Sequence, residues 1–396
     1  MMLMSTDYPI HLAVALDGAG WHPAAWRHET LQPAELFSPQ FWTELVQEAE
    51  RGLLDLVTLE DRFAASRQQD GDTVDIVHGT LDPALIAARI GPVTHRIGLV
   101  PTAIAPHTEP FHISKSIATL DHVTSGRAGL RVRTSADPRE FANIGRRPTP
   151  RFHGAEAGSA DAEEAFGEVS DYIEVVRRLW DSWEDDAEIR DVDTGRFIDR
   201  DRLHYIDFQS PNFSVRGPSI TPRPPQGQPV ITVRAHDERG YALIGRDADI
   251  GLTTPRDAAD AARIATAIRK EAVAADRDPG DIRVLADLVV FLDRTSTAAH
   301  ARKDDLDELA GGEFASDAAV FVGTPDGLTD QLLEWSAAGV DGFRLRPASA
   351  RYDLERITRD LVPRLQQRGA FRPHYTTTTL REHFGLPRPA SRYSAA

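Results

Sequence analysis

The stretch 125-SGRAGLRVRTSADP-138 sets two glycines and three arginines around a short apolar run, followed by hydroxyls and a proline, and supplies a strand near 127-RAGLRVRTS-135. Side chains alternate along a strand, so Arg131 and Arg133 share one face and Leu130 and Val132 the other. Its arginines have three readings: they hold an anion, serve a cofactor, or lie on the surface.

Outward from this run, short β-rich segments alternate with longer amphipathic ones. Strands are expected at 10-IHLAVAL-16, 55-DLVTLED-61, 96-RIGLVPTAI-104, 127-RAGLRVRTS-135, 229-PVITVRA-235, 249-DIGLTT-254, 282-IRVLADLVVFL-292 and 341-DGFRLRP-347. The segment 319-AVFVGT-324 reads as a further short strand or a loop. Between them, 38–53 is a helix with Ser38 as its cap and Pro39 at its first position, and 82–93 is another with Asp82 and Pro83. Helices are also expected near 110–124, 168–183, 238–247, 257–275, 326–339 and 352–368. Eight such units favour one (β/α)8 TIM barrel over a doubly wound sheet, in a single domain spanning 1–396. The rhythm breaks over 136–228, which reads as an insertion after the fourth strand, over the catalytic face, with 136–167 a long loop or excursion. The tail 370–396 is expected to pack over the barrel or at a subunit contact.

With 396 residues, length alone allows two domains or one large barrel. The balance of 45 basic against 61 acidic residues gives a net charge of −16, which disfavours nucleic-acid binding. Only three of the basic residues are lysines, so any single arginine is less informative than usual. The absence of cysteine excludes disulfides, thiolate metal sites and a cysteine nucleophile. No apolar run approaches 18 residues, and MMLMSTDYP lacks the basic and apolar regions of a signal peptide, so a cytoplasmic protein without a membrane segment is expected.

In such a barrel, chemistry sits where strands end. Those ends supply Asp61, Thr102, Arg131 to Ser135, the turn 234-RAHDERG-240, and Thr253 with Thr254. The loop 20-GWHPAAWRHE-29 carries two tryptophans and two histidines, a composition that suits a planar aromatic ligand. The competing readings are a solvated strand end for Asp61 and Arg62, and surface histidines for His22 and His28. His153, His204 and His236 are too scattered to indicate a metal site. There is no dinucleotide fingerprint, P-loop or GxSxG elbow, which leaves a bound organic cofactor as the better source of chemistry.

Several segments then carry a resemblance: 20-GWHPAAWRH-28, 52-GLLDLVTLED-61, 115-KSIATLDHVTSGRAG-129, 134-TSADPREFANIG-145, 171-DYIEVVRRLWDSWEDDA-187, 225-PQGQPV-230 and 378-TTLREHFGL-386. Together the sequence resembles the bacterial luciferase-like flavin monooxygenases, in the branch of the nitrilotriacetate and dibenzothiophene-sulfone monooxygenases. The resemblance implies a homodimeric barrel that takes reduced FMN from a separate reductase and uses O2 on a small organic substrate. It places Asp61, Thr102, Arg131 and Ser135 along the flavin, Arg234, His236 and Asp237 near its phosphate, and Trp21 and His22 toward the substrate as catalytic groups.

The departures are specific. The family's GRAGWN-x-x-TS reads here GRAGLRVRTS, with Leu130 for tryptophan and Arg131 for asparagine. The histidine and tyrosine of its HDERY motif fall at Ala162 and Phe166, and its phosphate-binding serine at Asp237. Either Arg131, Arg133 and Arg234 rebuild the anion site, or FMN binding is weakened. The cofactor is then deazaflavin F420, or none, in a barrel acting as a non-catalytic subunit.

Overall fold

Alternation with a period of two gives the inward positions of this barrel a gradient, apolar at one end and ionic at the other. The computed structural model describes residues 10–27, 32–64, 77–149 and 160–393; His28 and His153 lie outside them. Thirteen strands are present among the described residues: β1 (His11–Leu16), β2 (Leu56–Leu59), β3 (Gly98–Ile104), β4 (Gly129–Arg133), β5 (Glu188–Asp191), β6 (Arg196–Ile198), β7 (Phe208–Gln209), β8 (Ser214–Val215), β9 (Val230–Ala235), β10 (Ile250–Thr253), β11 (Arg283–Leu292), β12 (Ala319–Gly323) and β13 (Gly342–Pro347). Eight form a closed parallel barrel in the order β10-β9-β4-β3-β2-β1-β13-β11, completed by β10–β11 pairing.

The segment at 319–323 is a ninth strand of this sheet, β12, and not a stave. It pairs with Leu288–Leu292, the end of β11 beyond the part that pairs with β10. The helices are α1 (Pro39–Arg51), α2 (Pro83–Ile90), α3 (Pro110–Thr124), α4 (Pro138–Ile144), α5 (Ala160–Asp181), α6 (Glu238–Asp247), α7 (Ala258–Ala274), α8 (Ser296–Ala310), α9 (Pro325–Ala337), α10 (Ala350–Arg356), α11 (Val362–Gln367) and α12 (Leu380–His383). Ser38, Asp82, Asp137, Asp237, Asp257, Thr295 and Thr324 each cap a helix by accepting a backbone N–H from its first turn.

Of residues 136–167, the described ones hold α4 and the first turns of α5. α5 packs between α3 and α6 as the barrel's fourth helix. The hairpins β5–β6 and β7–β8 follow it, and Ile206 and Phe208 of that region pack on Val175 and Leu179 of α5. Only the first part of the excursion therefore borders the mouth, and the second part flanks the outside of the helical ring.

The tail closes the other end. Leu380, Phe384 and Leu386 join Ala13, Leu56, Val100, Val230, Ile250, Leu252 and Leu285 in one buried cluster inside the N-terminal end of the barrel. Gly98 admits this plug, since a Cβ there would come within 2.4 Å of Leu380. At the opposite end the inward positions turn polar, with Thr58, Thr102, Arg131, Thr232, Asp287, Arg344 and Arg346 all buried.

Candidate active site

The three arginines of the opening stretch have three fates. Arg127 precedes β4 and is structural: its guanidinium donates to the carbonyls of Gly91, Thr94, Ile97 and Thr124 and to the Thr94 hydroxyl. Arg131, on the inward face of β4, is 1% exposed and donates to the Glu60 carboxylate and, at 3.1 Å, to the Thr102 hydroxyl. Arg133, one inward position further, reaches the rim and donates to Glu140 at 2.7 Å and to the Asp61 carbonyl at 3.1 Å.

Arg131 begins a chain of ion pairs across the barrel. Glu60 also accepts from Arg344 at 3.1 Å, and Arg344 grips Asp287 through two bonds of 2.7 and 2.6 Å. Asp287 accepts from Arg346 as well, which donates to Asp317 at 2.7 Å, and Asp317 accepts from Arg234 at 2.8 Å. Four guanidinium groups thus face three carboxylates. Burial pushes the Glu60 carboxyl up, but Arg131 and Arg344 outweigh it and hold it at about 2. Asp287 and Asp317 are held below the usual carboxylate range for the same reason: burial opposes ionisation and the neighbouring arginines overcome it. Burial lowers Arg131 to about 9 against the pull of Glu60, which leaves it a cation at neutral pH. The Nε atoms of Arg131 and Arg346 and the Thr232 hydroxyl are buried without a partner.

Beside this chain lies a cavity of about 480 Å³ at the C-terminal ends of β4 and β9. That volume is in the range of small-molecule sites. Arg131, Arg133, Arg234, His236, Ser135 and Asp237 border it, with Ala162, Phe166 and Val169 of α5 opposite. The Ser135 hydroxyl donates to Glu140, and His236 Nδ1 lies 2.8 Å from the Thr254 hydroxyl. Asp237 stands at the start of α6, where its carboxylate accepts the Gly240 N–H at 2.9 Å.

The remaining expected site residues fall elsewhere. Thr102 sits behind Arg131, inside the barrel. Asp61 follows β2, outside the cavity wall, and burial, only partly offset by the Arg62 N–H, raises its carboxyl to about 6. Trp21 and His22 do not border this cavity. Their loop is pinned along the end of β13 by Trp21 N–H to Pro347 and His22 N–H to Ala348, both 3.0 Å. Gly20 permits this approach, with φ of 139° and no room for a Cβ against Ala348. His22 is buried beside Phe291 and Phe314, with Nε2 2.9 Å from Asp307 and Nδ1 accepting the Ala24 N–H. The Trp21 ring lies against the Arg346 guanidinium, 4.4 Å from it, and its N–H donates to the Ala15 carbonyl. Glu60, Asp287, Asp317, Arg344 and Arg346 were not among the expected site residues.

The sequence model of the luciferase-like monooxygenases matches residues 20–315. The chain belongs to this family. It is 30% identical to the N-acetyl-S-(2-succino)cysteine monooxygenase of Bacillus subtilis, over 99% of this chain and all of the relative. It is 29% identical to nitrilotriacetate monooxygenase component A of Aminobacter aminovorans, covering 98% of each. Among solved structures, a long-chain alkane monooxygenase superposes with a TM-score of 0.83 at 25% identity, covering 95% of both chains. These family relatives are enzymes, and the closed barrel expected from the sequence is the fold they share. No described helix is long and apolar enough to cross a membrane.

Proposed function

We propose that this chain is the oxygenase component of a two-component flavin monooxygenase. It takes reduced FMN from a separate reductase in the cytoplasm and uses O2 on a small organic substrate, as a homodimer. The observation that carries the reading is the cavity at the strand ends, in a chain whose family match covers 20–315. The lining suits a flavin in size and character. Val132, Val233, Leu243 and Phe166 offer an apolar, partly aromatic wall for a planar ring, and Thr134 offers a hydroxyl for a ribityl chain.

Reduced flavin supplies the activation of O2 when bound; the chain's own part is to seat the ring and exclude water. Arg131 lies fixed by Glu60 and Thr102 beneath the cavity, its charge balanced by the Glu60 carboxylate. Buried in this way, the pair sits in a medium less polar than water.

The test is anaerobic titration of the purified protein with reduced FMN, followed by O2 uptake in the presence of a flavin reductase. Binding in the micromolar range with flavin-dependent O2 uptake is expected. Absence of binding by FMN in either redox state at high micromolar concentration would remove the reading and leave a barrel subunit without cofactor, which the Arg131–Glu60 pairing would then explain.

A further inference from the structure

We propose that Asp237 is a specificity residue that sets this site against a phosphate, so that the cavity holds a flavin by its ring and ribityl chain and binds FMN no more tightly than riboflavin. The inference rests on the reading of the cavity as a flavin site.

The N-terminus of α6 (Glu238–Asp247) forms part of the cavity wall. A ten-residue helix presents free N–H groups and partial positive charge there, which is where an anion would normally be seated. Here the chain fills that seat itself, with the Asp237 carboxylate on the Gly240 N–H. A phosphate brought against it meets a like charge, at a cost of about five-fold in affinity per charge pair ~4 Å apart in water, and more where water is excluded.

The rest of the wall does not compensate. Arg131 is paired with Glu60, Arg133 with Glu140, and Arg234 with Asp317. An incoming phosphate has to share each guanidinium with a carboxylate already tethered to the protein. The Ser135 hydroxyl is also committed to Glu140. On the α5 side the lining residues are Ala162, Phe166 and Val169, which have no polar side-chain atom to offer. Of the neutral polar groups that remain, Thr134 offers a single hydroxyl, and His236 already stands between Thr254 and Asp317.

The experiment is a set of four titrations by flavin fluorescence quenching: oxidised FMN and riboflavin, each against the wild-type protein and Asp237→Asn. Asparagine keeps the helix cap and removes the charge, and thermal melts report whether the variant is folded. The wild type is expected to bind FMN no more tightly than riboflavin. In Asp237→Asn, FMN should tighten by about five-fold or more while riboflavin stays unchanged.

A wild type that prefers FMN by more than ten-fold overturns the proposal, as does a variant in which the ratio does not move. Failure of both flavins to bind overturns the flavin-site reading itself, and with it this proposal. That outcome is distinct, since in the other two flavin binding persists.

Discussion

Glu60→Gln should destabilise the protein by about 3 kcal/mol at pH 7. The carboxyl of Glu60 accepts from Arg131 and Arg344, and glutamine keeps the shape and one acceptor while removing the charge. Its carboxyl is held at about 2 against an ordinary 4.5, a difference of 2.5. At about 1.4 kcal/mol for each pH unit this comes to roughly 3 kcal/mol, and removing one partner of a buried ion pair costs about 3–5 kcal/mol. The folded-state value is depressed, so the contribution is fully present above the unfolded value near 4.5 and is lost as pH falls toward 2. Urea unfolding of wild type and variant between pH 7.5 and 4 reads this directly. Other carboxylates titrate in both proteins, so the difference isolates Glu60. The gap should be constant above about pH 5.5 and begin to narrow below 4.5. A gap under about 1 kcal/mol at pH 7, or one that widens in acid, refutes the assignment of Glu60 as a buried, paired carboxylate. Glu60→Gln combined with Arg131→Met should lose less than the two single changes summed, because the pair is removed together.

Phe384→Ala opens the plug in the N-terminal end of the barrel and should cost about 3–5 kcal/mol by urea unfolding, with flavin affinity unchanged because the cavity lies at the other end. His22→Ala should cost on the order of 2 kcal/mol and leave the Kd for FMN where it was; a large loss of flavin affinity would return His22 to the site. Burial holds His22 below its usual value, against the pull of Asp307. Its folded form therefore resists protonation, and its contribution should fade as pH falls below about 6.5. Burial raises Asp61 to about 6 from 3.8, so ionising it in the folded protein costs stability as pH climbs through that window. Asp61→Asn should raise Tm at pH 7.5 and leave it unchanged near pH 4; no gain at pH 7.5 refutes the burial argument.

The barrel was legible because its signal is local. GLRVR and FRLRP alternate with a period of two, and capping residues such as Ser38 and Asp82 mark where strands hand over. The ion chain was missed although its signal lay in the same strands. Asp287 sits within the apolar run 282–292, and Arg344 and Arg346 alternate with Phe343 and Leu345. Charges at alternate positions of a fully buried strand have to face one another across the interior, since unpaired they would not stay charged there. Matching opposite charges at inward positions would have found Asp287, Arg344 and Arg346. Asp317 carries no such pattern, because the ninth strand β12 delivers it to the mouth from outside the alternation. The early start of α5 was hidden by Gly167 in an otherwise Ala- and Glu-rich segment, 160-ADAEEAFGEV-169. A Cβ at Gly167 would meet open space, so nothing in the packing demands a break there. The path of the loop holding Trp21 and His22 depends on backbone bonds to Pro347 and Ala348, more than three hundred residues away, which no local pattern records.

The question raised by Arg131 and Arg133 turns on what already holds them. In a chain so rich in arginine, a guanidinium at a strand end signals an anion only if its charge is free, and here Glu60 and Glu140 have taken both. Arg234 is paired with Asp317 in the same way, and Asp237 supplies the helix terminus with an anion from the chain itself. Binding at this cavity then has to come from apolar contact, at about 25 cal/mol per Å² buried. One hundred Å² of ring surface against Val132, Val233 and Phe166 is worth about 2.5 kcal/mol by that measure. A flavin gripped mainly by such contacts would leave readily, which suits the proposed role of receiving reduced flavin from a reductase and returning it oxidised, and would be a handicap in a protein that kept its flavin through every turnover. Exchange should therefore be fast: flavin bound to the wild type should be displaced by an excess of free flavin within seconds in a stopped-flow chase. Retention over minutes would show that the paired arginines hold the phosphate after all.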